Sequence, residues 1–288
     1  MTLLKPYLII IKSILFYLFD SLALWKIPSQ QPNELELVFL IRQDGIGDFV
    51  MWLDTAKEYR NIFPPDKYKI VLAGNKIWCD LAEELPYWDE KLMIDVKQFK
   101  TFSKYRWDFL RKVRNLGVQI SIQPTFSREF YHGDALVRAS GALRKVSSAG
   151  DMANRNWLKK FIADSWNTEL IPASTETLTE LERNAEFYSG LSDSPHLTRY
   201  PKLDIQEFWL SSKWKDKTFY ILVPGTSGSV AGKEWPSAFF SDLATKVFRQ
   251  TGWEGVICGT KQEYSLAEQI LKQCDAPLQN LCGQTTLV

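Results

Sequence analysis

The sequence predicts an α/β protein built on doubly wound parallel sheets, and three observations point there. Short apolar runs alternate with stretches of helical periodicity along most of the chain. The first of these runs, Leu35–Ile41, leads into a glycine turn, Gly45-Ile-Gly47-Asp48, that opens a helix. A later run, Phe219–Val223, leads into a loop of small residues that also precedes a helix. The 288 residues favour two domains, although one large α/β domain would also fit.

Taken in order, Leu3–Trp25 is a strongly apolar run whose polar members Lys5, Lys12, Ser13 and Asp20 gather, with Lys26, in one stripe at helical spacing. Lys12 and Asp20 interrupt what a membrane span would need, and the run does not end in the small residues of a cleaved signal. An amphipathic helix lying in a membrane interface fits best, with packing on the protein's own core or on a partner as the plain alternative and a true span as the third. A polar linker, Ser29–Glu34, separates it from the strand Leu35–Ile41, whose unbroken apolarity reads as a buried parallel strand.

Phe49–Phe63 then reads as a helix stopped by Pro64-Pro65, and further strand and helix signals lie at Tyr68–Ala73, Ile77–Glu84, Leu92–Asp95, Phe99–Leu116 and Val118–Ile122. In doubly wound sheets ligands gather beyond the carboxyl ends of strands, which is where the Gly45–Asp48 turn sits. Gly45 and Gly47 allow close backbone approach, and Asp48 is either a helix N-cap or a functional acid. The Phe99–Leu116 helix is strongly basic, reading as a solvated face or as a surface toward anionic lipid or a phosphorylated acceptor.

A stretch rich in Pro, Ser and charge, Ser192–Lys217, marks a domain boundary. Beyond it, Phe219–Val223 is a strand, Pro224–Lys233 a loop, and Pro236 the expected first residue of a helix running to about Arg249. Small loop residues ahead of a helix expose N–H groups to an anion, and Lys233 adds a full charge. The glycine spacing does not match a Walker loop, and Gly225-Thr-Ser-Gly is not a nucleophile elbow. Gly255–Cys258 reads as the next strand, Tyr264–Cys274 as a helix, and Leu278–Cys282 as the start of another unit.

Composition excludes several classes. A net charge of +1 gives no whole-protein field for nucleic acid. Four cysteines without C-x-x-C spacing and only two histidines make metal-hydrolase and triad-hydrolase readings weak; the cysteines read as reduced thiols of a cytoplasmic protein. No full dinucleotide fingerprint exists, since Val50 stands where the third glycine belongs.

Several segments, in order, resemble glycosyltransferase family 9, the heptosyltransferase-like enzymes. They are Ile41–Val50, Pro124–Arg128 with Gly133–Gly141, Glu180–Asn184, Val223–Ser227 with Gly232–Pro236, and Asn280–Leu287. The resemblance implies a GT-B architecture of two Rossmann-like domains facing a cleft: 35–205 for the acceptor and 206–288 for a nucleotide-diphosphate sugar, after an N-terminal segment 1–34. It implies Asp48 as catalytic base, Thr226, Ser227 and Lys233 on the donor phosphates, Glu263 on the ribose, and Gly45, Gly47, Ser127 and Arg128 at the acceptor. It further implies an inverting transfer, heptose by family default, to a lipopolysaccharide or other surface-glycan acceptor at the cytoplasmic face of the inner membrane. No metal, cofactor or nucleic acid is expected. A non-catalytic protein that binds a sugar nucleotide or a partner is the alternative. The family pattern continues with an Asp-Ser/Thr-Gly turn that has no counterpart here, so the second domain is expected to be incomplete.

Overall fold

The computed structural model describes residues 5–28, 34–202, 217–225 and 235–286. The chain divides into two compact units, Met1–Asp204 and Ile205–Val288.

The first unit opens with helix α1 (Lys5–Ala23) and then winds a six-stranded parallel sheet. Its strands are β1 (Glu36–Arg42), β2 (Tyr68–Asn75), β3 (Glu90–Ile94), β4 (Ile120–Gln123), β5 (Arg144–Ser148) and β6 (Glu169–Ile171), laid side by side as β3-β2-β1-β4-β5-β6. The order reverses between β1 and β4, and at such a switch point the loops leaving two neighbouring strands part to open a crevice. Strand β1 lies in the middle and is buried along its length after Glu36, which accounts for its unbroken apolarity.

Between the strands run α2 (Ile46–Ala56) and α3 (Tyr59–Ile62), α4 (Cys79–Glu83), α5 (Val96–Phe99) and α6 (Lys104–Arg114), α7 (Gly133–Ser140), and α8 (Trp157–Asp164); α9 (Glu180–Ser192) closes the unit. One face of the sheet buries Leu37, Phe39 and Ile41 of β1 with Val71 and Ala73 of β2 against Phe109, Leu110 and Val113 of α6 and Leu136 and Val137 of α7. On α2, an aromatic cluster pins the helix: Phe49 stacks on Trp78 at 3.8 Å and Trp52 lies parallel to Trp88 at 6.3 Å.

Two helices differ from the sequence expectation. The helix placed at Phe49–Phe63 starts earlier, at Ile46, and gives way to the short α3. The helix placed at Phe99–Leu116 is two helices, because Ser103 accepts a bond from the Arg106 N–H and restarts the chain after α5.

Among its described residues the second unit has three parallel strands, β7 (Phe219–Leu222), β8 (Glu254–Ile257) and β9 (Leu278–Asn280), in that order. Helices α10 (Ser237–Thr251) and α11 (Tyr264–Gln273) cover one face, burying Leu222, Ala244, Ile257, Ala267 and Ile270 together. Pro236 is the residue before α10 rather than its first, a difference of one position.

Candidate active site

A cavity of about 340 Å³ opens at the carboxyl ends of β1, β2, β3 and β4, at the switch point of the first unit. Its wall includes Gln43, Asp44, Gly45 and Asp48 from the turn after β1, Asn75 after β2, and Lys100 after α5. Gln123, Thr125, Ser127, Glu129 and His132 come from the end of β4 and the segment beyond it. Nearly every one of these side chains can give or take a hydrogen bond, which is the lining a polyhydroxyl ligand requires.

The turn carrying Asp48 is held from below. Arg42, fully buried at the end of β1, pairs with Asp44 at 2.7 Å and with Glu180 of α9 at 2.6 Å. It also donates to the side chain of Asn184 at 3.0 Å and to the Asp48 carbonyl at 3.3 Å. Burial works against the guanidinium charge, but Asp44 and Glu180 more than offset it, and its pKa is raised. Asn75 donates to the Gln43 and Asp44 carbonyls, and the Trp78 indole N–H donates to the Asp44 carbonyl at 3.1 Å.

Within this frame the N-cap of α2 is Gly45, and Asp48 is the third residue of the helix, so the plain capping role does not apply to it. Its carboxylate has no hydrogen bond or ion pair among the described residues and lines the cavity. A carboxylate in the first turn is favoured by the helix dipole. Asp44 is different: it is committed to Arg42 and accepts from the Thr125 hydroxyl at 3.1 Å.

Gly45 lines the cavity with ordinary extended backbone, φ −64° and ψ 169°. Gly47 needs no unusual backbone angle either; a Cβ there would meet nothing within 4 Å, so its value is open space rather than a tight turn. Ser127 lines the wall and donates to Asp151 at 3.0 Å. Arg128, expected at the acceptor, is instead 1% exposed and lies outside the lining. It pairs with Asp134 at 3.0 Å and Asp164 at 2.5 Å and donates to the Ser148 carbonyl, tying α7 and α8 to β5. It carries structure, not ligand contact, because its buried guanidinium is engaged by two carboxylates and a backbone carbonyl.

His132 was not singled out in the sequence. Burial, then Lys100 and Arg106, push its pKa down to about 3, so the imidazole is neutral. Its Nδ1 lies 3.0 Å from Glu129, while Nε2 is buried without a partner among the described residues. Both side-chain polar atoms of Gln43 are likewise buried and unpartnered. The signal that could have found His132 is that it is one of only two histidines and sits between the quoted segments Pro124–Arg128 and Gly133–Gly141.

In the second unit, Thr226, Ser227 and Lys233 lie outside the described residues. Glu263 is described, and its Oε2 accepts from the Thr260 N–H and hydroxyl in a capping box. Its side chain also crowds Gly225, where a Cβ would stand 2.2 Å from Glu263 Cγ. That glycine therefore lets the two loops after β7 and β8 close on each other. No cluster of three or more His, Cys, Asp or Glu able to hold a metal occurs among the described residues.

Residues 165–288 match the model of glycosyltransferase family 9 (heptosyltransferase). The chain overlays ADP-heptose lps heptosyltransferase II of E. coli with a TM-score of 0.62 at 16% identity, covering 88% of this chain and 74% of that one. It overlays the glycosyl transferase family 9 protein of Veillonella parvula at 0.63, with 14% identity and coverage of 88% and 71%. E. coli heptosyltransferase WaaC with ADP gives 0.64, with 14% identity and coverage of 87% and 75%. No curated protein matches the chain significantly in sequence. The family match covers the end of the first unit and the whole of the second, while the Asp48 cavity lies outside it and rests on the shared fold. Residues 165–288 thus carry the sequence pattern of glycosyltransferase family 9, and the chain shares the fold of solved heptosyltransferases.

Proposed function

We propose that the protein transfers a sugar, with inversion, from a nucleotide-diphosphate donor to a hydroxyl of a lipopolysaccharide or other surface-glycan acceptor. The observation that carries this reading is the uncommitted Asp48 carboxylate in a cavity lined by hydrogen-bonding groups at the switch point of the first sheet. In the reaction, Asp48 takes the proton as the acceptor oxygen attacks the anomeric carbon, and the bond to the nucleotide diphosphate breaks. Lys100, on the cavity wall, supplies a donor to an acceptor hydroxyl.

The leaving diphosphate gains negative charge, which Lys233 with Thr226, Ser227 and the N–H groups of that loop would neutralise without a metal. Glu263, beside Gly225, is placed by this reading at the donor ribose. Solved relatives hold ADP and ADP-2-deoxy-2-fluoro heptose, which supports an ADP-sugar donor and heptose as the first candidate. The acceptor's cellular setting would be the cytoplasmic face of the inner membrane.

The test is release of nucleotide diphosphate from candidate ADP-sugars with and without acceptor. Asp48→Asn is expected to lower turnover by about 10² to 10⁴ while donor binding persists. Turnover close to wild type would remove Asp48 from its role. Donor binding with no release under any acceptor would favour the non-catalytic alternative.

A further inference from the structure

Helix α1 is docked the wrong way round for a helix serving its own core. The side turned inward carries Ser13, Phe16, Asp20 and Ala23, so two of its four buried residues are polar. Asp20 is buried in a two-pronged pair with Arg106 of α6, at 2.7 and 2.5 Å, and Ser13 shares a hydrogen bond with the Tyr131 hydroxyl at 2.9 Å. Phe16, between them, stacks on Phe102 and lies against Tyr131. The apolar side faces outward: Ile11, Leu15, Leu18 and Leu22 are each about half exposed, and Trp25 just beyond is 65% exposed.

A second helix extends this surface. On α8, Trp157 and Phe161 are 71% and 72% exposed. An apolar groove of about 260 Å³ joins the two helices, lined by Ile14 and Tyr17 on one side and Leu158, Phe161 and Ile162 on the other. It shares no residue with the Asp48 cavity.

We propose that the α1–α8 face docks on an anionic lipid bilayer, with both helices lying in the headgroup region and the groove receiving acyl chain. Charge decides the occupant. The only carboxylate on α1 is the buried Asp20, and Asp164 of α8 is consumed by Arg128 and Lys160. The exposed charges on α1 and just after it are cations: Lys12, at the rim over the Phe16 and Tyr131 rings, and Lys26, over Trp25. Apolar bodies, tryptophans at the edges and lysines without exposed acids are the composition of an interfacial helix. Two copies meeting face to face would bring these lysines together with no carboxylate on α1 to answer them. Among the described residues no helix is long and apolar enough to cross a membrane, which suits contact in the plane rather than a span.

The full chain should sediment with vesicles of phosphatidylcholine containing about 30% phosphatidylglycerol, and several-fold less with phosphatidylcholine alone. Leu18→Glu and Phe161→Glu, both at exposed positions, should each weaken sedimentation by about tenfold or more while keeping the wild-type melting temperature. Because Phe161 lies on α8, its variant tests the two-helix surface and not α1 alone. The proposal is overturned if the wild-type chain stays in the supernatant, or if both variants sediment like wild type. It is also overturned if the chain is a dimer in solution that Leu18→Glu splits. Transfer to a soluble acceptor without vesicles reports on the Asp48 chemistry separately, so the two readings can fail independently.

Discussion

Arg42 holds a full charge at the carboxyl end of the central strand because Asp44, Glu180, Asn184 and the Asp48 carbonyl converge on it. Part of this was legible: Glu180 and Asn184 belong to a segment marked by resemblance, and their spacing of four places both on one side of α9. What the sequence did not reveal is their target, since a contact spanning 138 residues leaves no local pattern. Arg42→Ala should lower stability by about 3 kcal/mol in denaturant unfolding, because it strands partners built around a buried charge. The milder Glu180→Gln should leave donor binding intact and reduce kcat by about tenfold by loosening the turn that carries Asp48; an unchanged kcat would make the network purely structural. His132 sets a pH dependence. Its folded pKa of about 3 lies below the unfolded value of about 6.5, so the unfolded chain binds the extra proton between those limits. Stability is therefore lost as pH falls, by about 2 kcal/mol from this residue between pH 6.5 and 5. His132→Gln should flatten that part of a urea-stability profile, and an unaltered slope would assign the loss to other groups.

Helices α1 and α6 show where periodicity informs and where it misleads. The stripe of Lys12, Ser13 and Asp20 was visible from spacing alone, as was the wide apolar face opposite. Which side docks was not, because an amphipathic pattern names two faces without saying which one meets protein. The partner was hidden in the basic run of α6, which read as a solvated or lipid-facing surface. In the structure Arg106 is buried on Asp20, Arg111 donates to the Ala23 carbonyl and Arg114 to the Arg138 carbonyl. Three of its cations are thus structural, and only the lysines remain outward. Asp20→Ala leaves the Arg106 guanidinium buried without its counter-charge and should cost about 3–5 kcal/mol. Asp20→Asn, which keeps the shape and one acceptor, should cost less; equal melting temperatures for both variants and wild type would show that the pair does not anchor α1.

Across the whole chain, the alternation of apolar strands and helices was enough to read a doubly wound α/β protein, and the glycine turn located the cavity. The donor side remains an expectation because Thr226, Ser227 and Lys233 fall outside the described residues. Among the described residues the two units differ in how their sheets are covered. In the first, β1 is buried on both faces between layers of helices. In the second, α10 and α11 cover a single face, and Ile221, which alternates to the other, is 56% exposed. Parallel strands gain their stability from cover on both sides, and the three strands and one small cluster among the described residues of this unit have little area to set against chain entropy. The units should therefore open at different free energies. In native-state hydrogen exchange, the amides of β8, including Val256 and Ile257, should exchange through openings several kcal/mol cheaper than those of Phe39 and Leu40 in β1. Thermal unfolding should then show two steps rather than one cooperative transition, and a saturating ADP-sugar, bound by the second unit as proposed above, should raise only the lower step at first. Equal protection of β1 and β8, with a single transition by every probe, would mean that the second unit draws its stability from contacts beyond its own small core.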